Sequence, residues 1–223
     1  MSVEPISLET SAGVVPAMVE GRGEAGILLA PGAGTDQHHP GVSGLRSRLA
    51  AVGFTVMTFD YAYRAEGRSF PDRLPKLLSV HRSAASYLRS RVGARLVLAG
   101  RSMGGRMGTM LAAEGEPCLA VVAYGYPLHP AGKPDRLRVD HLAGMVAPVL
   151  FLTGTRDALA MPHLVTQHLT SLPTATVELI DDADHSFRRR GTPAAAMLDS
   201  LAEVTVLWLR TVVGLGEKTC DPP

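Results

Sequence analysis

Residues 95–111 read Arg-Leu-Val-Leu-Ala-Gly-Arg-Ser-Met-Gly-Gly-Arg-Met-Gly-Thr-Met-Leu. The apolar run at 96–99 has the make-up of a short buried strand. Met107, Met110 and Leu111 then recur at helical spacing. Between them lies Gly100-Arg101-Ser102-Met103-Gly104, a G-x-S-x-G pattern. A chain that goes from buried strand to helix in so few residues must double back sharply. Glycines two residues either side of Ser102 leave room for that turn, which holds the serine hydroxyl out beside the positive end of a helix. Ser102 is therefore the candidate nucleophile. A helix-capping serine is the plainer alternative.

The rest of the chain is built in the same units. Residues 3–9 and 14–19 form an expected antiparallel hairpin. Apolar runs at 27–30, 54–59, 119–123, 149–153 and 176–180 read as further strands. Helical periods occupy 42–52, 74–88, 161–172 and 193–213, with Pro193 in the first turn of the last and Gly214 at its end. Strand and helix alternate after the hairpin, which predicts a mostly parallel sheet of about eight strands with helices on both faces. Residues 64–73 read as a polar loop. Residues 128–145, rich in proline, glycine and charge, read as a surface excursion with at most one helical turn. No linker divides the 223 residues, so one domain is expected over 1–223, with a frayed tail at 214–223.

Composition narrows the function classes. The chain is 46% hydrophobic with a net charge of +1, which gives no electrostatic prior for nucleic acid or membrane partners. No apolar run approaches the roughly 20 residues of a membrane span. The first ten residues lack a basic-then-apolar leader, so a cytoplasmic location is expected. Arg188-Arg189-Arg190 is a short basic cluster, read as a solvated loop. Cys118 and Cys220 form no CxxC pair, with Cys118 expected in the core and Cys220 in the tail.

A serine hydroxyl needs a base, and the base an orienting carboxylate. Asp157 follows the strand at 149–153, in Gly-Thr-Arg-Asp. His185 follows the strand at 176–180, in Asp-Asp-Ala-Asp-His. The order Ser102, Asp157, His185 is the Ser…Asp…His order of the α/β-hydrolase fold. Parallel strands end on one sheet edge, so the three side chains can converge. Asp60, also at a strand end, is the rival acid, and Asp157 could instead start a helix. Asp181, Asp182 and Asp184 beside His185 invite a metal, but no histidine pair stands at ligand spacing, so no metal site is expected. The sequence contains no asparagine, so no Asn side chain can serve as an oxyanion donor. The expected donors are the backbone N–H groups of Met103, just after the nucleophile, and of Ala33 in Pro31-Gly32-Ala33-Gly34. His38, in the His38-His39 pair, and Tyr61, Tyr63, Tyr124 and Tyr126, all just past strand ends, are candidate pocket residues; packing is the other account of the tyrosines.

The stretches 29–34, 99–105, 126–129 (Tyr-Pro-Leu-His), 148–157 and 183–186 (Ala-Asp-His-Ser) give the chain a resemblance. It resembles the small α/β-hydrolase-like family of testis-expressed protein thirty and the third regulatory subunit of the non-specific-lethal histone acetyltransferase complex. More distantly it is similar to the dienelactone hydrolases. The resemblance spans nearly the whole chain. It implies the α/β-hydrolase fold and Ser102, Asp157 and His185 as triad positions, and says little about substrate. Many of those relatives carry a histidine where this chain has Pro31.

These observations predict a serine hydrolase acting on a small ester or thioester, without metal or organic cofactor and with little or no cap. The alternatives are acyl transfer by the same triad and a non-catalytic interaction module that keeps the fold. Oligomeric state is not legible.

Overall fold

The computed structural model describes residues 2–215. Eight strands form one sheet: β1 (Val3–Thr10), β2 (Gly13–Glu20), β3 (Gly26–Ala30), β4 (Thr55–Phe59), β5 (Leu96–Arg101), β6 (Ala120–Tyr124), β7 (Val149–Gly154) and β8 (Ala175–Ile180). Their order across the sheet is β1-β2-β4-β3-β5-β6-β7-β8. The β1–β2 and β2–β4 pairs are antiparallel and every other pair is parallel. This is the α/β-hydrolase fold that the sequence predicts.

The central strands are apolar at nearly every position because both faces are covered. Every residue of β3, β4, β6 and β7 is buried. The side chains divide by alternation. Leu28, Met57, Leu98, Val121 and Phe151 enter one core, with α3 (Leu74–Val92) and α4 (Met103–Ala113). Ile27, Leu29, Val56, Val97, Val122 and Leu150 enter the other, with α1 (Pro40–Ala51) and α6 (Ala194–Val213). Helices thus cover both faces, and the edge strands β1 and β8 are the exposed ones.

Four local expectations change. A four-residue helix α2 (Ala62–Ala65) opens the segment read as loop; one turn is too short to display a period. The helix α5 (Pro162–His168) stops short of residue 172. The 128–145 segment is not a free excursion. Leu128, His129, Leu142 and Met145 are buried, and a 3-10 turn at Asp140–Gly144 packs on α4, where Thr109 Oγ1 lies 2.9 Å from His141 Nε2. Leu215 is also buried, so fraying does not begin at 214. Residues 216–223, with Cys220, lie outside the described residues. Cys118 is half-buried against the first core, and burial pushes its thiol up to about 11.

His81 of α3 is fully buried, with Nδ1 3.1 Å from the Tyr61 hydroxyl. Burial, then the Arg82 charge, hold its imidazole down at about 3. Such a group is neutral when folded and charges when unfolded below about 6.5. Its contribution to stability is complete above that pH and is lost as pH falls toward 3. Urea unfolding is expected to show a loss of about 2 kcal/mol per such histidine between pH 6.5 and 5. His81→Phe is expected to flatten that slope; an unchanged slope would refute the assignment.

Candidate active site

The elbow follows from the β5–α4 junction. Ser102 has φ 49° and ψ −113°, a region that a side-chain-bearing residue rarely occupies. Strain of this kind costs on the order of 1–3 kcal/mol. The turn is held from outside: the Ser102 N–H donates to the Tyr124 carbonyl at 2.8 Å, prolonging the β5–β6 ladder. It is held from inside by glycine. A Cβ on Gly100 would lie 2.3 Å from the Gly104 carbonyl carbon, and one on Gly104 would lie 2.5 Å from the Ala30 oxygen. Backbone meets backbone at both places, so a side chain at either position would have to push the turn apart.

Ser102 occupies the N-cap of α4, yet its side chain makes no capping hydrogen bond. Its Oγ lies instead 2.9 Å from His185 Nε2. His185 Nδ1 lies 2.8 Å from Asp157 Oδ2. Because a carboxylate faces Nδ1, that nitrogen carries the proton and donates it, and Nε2 is left to accept from the serine hydroxyl. Asp157 is 2% exposed, and its other oxygen accepts the Leu159 N–H at 2.8 Å. It starts no helix: one oxygen holds a turn ahead of α5 and the other holds the histidine. Asp60 does not compete, since its Oδ1 accepts the Gln37 N–H at 2.7 Å.

The acid and histidine loops are stitched together. Arg156 N–H donates to the Ala183 carbonyl at 2.9 Å, and Asp182 N–H to Thr155 Oγ1 at 2.8 Å. A Cβ on Gly154 would lie 2.2 Å from the Ala183 oxygen, which explains glycine there. Two of the three acids beside His185, Asp182 and Asp184, are occupied. Asp184 Oδ1 accepts the Ser186 and Arg188 N–H groups, both at 2.8 Å, closing a tight loop around the histidine. Asp182 pairs with Arg156 at 3.2 Å. Among the described residues no group of three or more His, Cys, Asp or Glu could hold a metal ion.

The Pro31–Gly34 loop lies beside the elbow: a Cβ on Gly32 would sit 3.6 Å from Ser102 Cβ. Thr35 closes it, its N–H and Oγ1 both donating to the Gly32 carbonyl, at 3.3 and 3.0 Å. Gly34 N–H donates to the Tyr63 hydroxyl at 3.0 Å. The loop is therefore anchored at residues 34 and 35, and Pro31 is not needed for its hydrogen bonding. Gly34 is committed to Tyr63, while Ala33 lines the cavity at Ser102. Met103 begins α4, and the first-turn N–H groups of a helix have no intrahelical acceptor. Tyr63→Phe is expected to leave the Gly34 N–H unpaired, at about 1–3 kcal/mol. Its melting temperature should fall, and reaction of Ser102 with a fluorophosphonate should slow further than stability explains. An unchanged rate would show that the tyrosine does not position this loop.

A cavity of about 310 Å³ opens at Ser102, lined among others by Gly32, Ala33, Thr35, His39, Arg101 and Leu159. No residue of 128–145 lines it. Two expectations about this pocket need correction. His38 is exposed and faces a separate groove beside β2. His39 enters the cavity instead, because its Nδ1 accepts the Gly41 N–H at 3.1 Å and caps α1. The four tyrosines do not line it. All are at most 1% exposed, and their hydroxyls are satisfied inside: Tyr61 by His81, Tyr63 by Gly34, Tyr124 by Thr205 and Tyr126 by the Arg138 carbonyl. Burial raises all four phenols above their ordinary range, so they stay neutral. Sequence reasoning also missed Gly125 (φ 64°), where a Cβ would lie 3.1 Å from the His185 carbonyl oxygen and 3.6 Å from its ring.

A parallel sheet, a strained serine at a strand-to-helix turn and a histidine and aspartate from later strand ends define the α/β-hydrolase class. Residues 23–212 match the family described as the alpha/beta hydrolase domain, and the chain belongs to that family. Its backbone is similar to XC6422 of Xanthomonas campestris, described as an α/β serine hydrolase without lid (21% identity, 95% of each chain, TM-score 0.75). It is also similar to a dienelactone hydrolase of Anabaena variabilis (20% identity, 95% of this chain and 98% of that one, TM-score 0.73). A third likeness is to Est1E of Butyrivibrio proteoclasticus, whose structure holds ferulic acid (14% identity, 94% of this chain and 99% of that one, TM-score 0.77). No helix among the described residues is long and apolar enough to cross a membrane.

Proposed function

We propose that the protein is a serine hydrolase that cleaves a small ester or thioester through an acyl-enzyme on Ser102. One observation carries this reading: a buried carboxylate, an imidazole and a strained serine hydroxyl stand in line at 2.8 and 2.9 Å. Ser102 Oγ attacks the acyl carbonyl as His185 Nε2 takes its proton. Asp157 holds the tautomer and stabilises the imidazolium that forms. The carbonyl oxygen, now carrying charge, receives the N–H groups of Ala33 and Met103. His185 then protonates the leaving alcohol or thiol, and water, activated by the same nitrogen, releases the acid. The residues require no metal and no organic cofactor for these steps. Within the alpha/beta hydrolase domain family, the stretches 126–129 and 183–186 favour the branch of testis-expressed protein thirty and the third regulatory subunit of the non-specific-lethal complex.

The substrate's size follows from the cavity. About 310 Å³ without a covering segment suits a short acyl group better than a long one. With 4-nitrophenyl esters, kcat/KM is expected to be highest for acetate to butyrate and to fall at least about tenfold by laurate. A preference for laurate would count against the small-substrate reading.

A further inference from the structure

Arg101 precedes the nucleophile and turns its side chain toward α1. A Cβ on Gly41 would lie 1.7 Å from its Nη1, so glycine there makes way for the guanidinium. The guanidinium carbon stands 6.0 Å from the Phe187 ring centroid, at cation–π distance. Arg101 is half-buried and forms no ion pair and no side-chain hydrogen bond among the described residues. Its nitrogens are not among the buried atoms left without a partner, so the cation is open to the cavities it lines and free to receive an anion.

Its surroundings mix charges of both signs. The N-terminus of α1 begins at its side, and Ser102, its chain neighbour, is the N-cap of α4. Arg188 lies near enough to repel it. His39 accepts the Gly41 N–H at Nδ1, so the neutral ring keeps its proton on Nε2 and offers a donor. Burial, then the Arg101 charge, hold that imidazole below its usual range. Asp184 is the nearby acid, and one of its oxygens is already bound by two backbone N–H groups.

Arg101, His39 and Ser186 line two adjoining cavities. One is the cavity at Ser102. The other, of about 280 Å³, is mostly apolar, with Leu45, Phe187, Met197 and Leu201 in its wall and Arg188 and Arg189 beside them. A cation with a neutral donor beside it, set between a nucleophile and an apolar recess, matches a single planar carboxylate attached to an apolar chain. We propose that Arg101 is the specificity residue of this site, and that the substrate is an ester or thioester bearing a carboxylate that Arg101 binds. This assignment rests on the hydrolase reading for the reaction but not for the binding, so the two can be tested apart.

The test is a titration of the full-length Ser102→Ala protein with monobenzyl glutarate, which carries one carboxylate, and with benzyl methyl glutarate, its neutral counterpart. The anion is expected to bind at least about tenfold more tightly, the worth of one charge-assisted hydrogen bond. Adding Arg101→Met should abolish that preference, and Arg101→Lys should retain part of it. Equal binding of the two ligands by Ser102→Ala overturns the proposal, whether or not Arg101→Met folds. A preference that survives Arg101→Met but disappears in Arg188→Gln overturns it too. Failure of the hydrolase reading shows elsewhere, as a wild-type Ser102 that does not react with fluorophosphonate.

Discussion

Ser102→Ala is expected to lower kcat for 4-nitrophenyl acetate by about 10⁴–10⁶-fold while the protein remains folded. Removing the nucleophile of a triad that acts as one unit costs on this scale, and donor groups alone supply the residue of activity. The fold should not suffer, because the Ser102 side chain caps nothing and its hydroxyl bonds only to His185. Ser102→Gly sharpens the case. Glycine adopts φ 49° without strain, so this variant should be equally inactive yet more stable, by about 1 kcal/mol. For a chain of this size that is a rise of about 2–4 °C in melting temperature. A serine kept for structure would lose stability in both variants. Loss of stability in Ser102→Gly would therefore contradict the view that the elbow holds strain for the sake of an exposed hydroxyl.

The largest stability effect is expected from Gly100→Ala. The added methyl would meet the Gly104 carbonyl carbon at 2.3 Å and the Gly105 nitrogen at 2.5 Å, and neither is the flexible end of a side chain. Overpacking ordinarily costs about 1–3 kcal/mol, and here the yielding parts are a strand and the first turn of a helix, so about 3 kcal/mol or more is expected. Melting should fall by roughly 10 °C. Turnover should fall as well, because displacing the first turn of α4 by even 1 Å moves both the nucleophile and the Met103 N–H, a shift worth about 10²-fold. Gly108→Ala, in the same helix, is the control. Its Cβ would meet nothing closer than Leu98 Cβ at 3.6 Å, so the change should stabilise by about 0.5–1 kcal/mol. Should Gly100→Ala and Gly108→Ala behave alike, close backbone packing would not be what sets the elbow.

Much of the fold was legible because parallel strands covered on both faces must be apolar throughout. The runs at 27–30, 119–123 and 149–153 therefore stood out in the sequence and match β3, β6 and β7 within a residue. Ser102, Asp157 and His185 were legible as a set because each pairs a chemically distinctive side chain with a strand end, and a parallel sheet puts those ends on one edge. The tyrosines shared that edge position but not the outcome. Phenol rings carry large apolar area, and their hydroxyls found internal partners far along the chain, Tyr124 with Thr205 for example, which no local pattern announces. His38 and His39 differ only by one step in a loop, and capping of Gly41 decides which turns inward. Tyr63 illustrates the limit well: wrong as a pocket residue, it supports the Gly34 N–H from beneath the loop. Arg101 was visible only as the variable position of a motif, because its importance lies in what fails to pair with it.

The most direct measurement of the central claim is reaction of the purified protein with a fluorophosphonate probe, followed by mass spectrometry of the labelled peptide. A buried Asp157, a correctly oriented His185 and a strained Ser102 should together give one stoichiometric adduct, on Ser102, formed by the wild type and by neither Ser102→Ala nor His185→Ala. A folded wild-type protein that carries no adduct on Ser102 would contradict it.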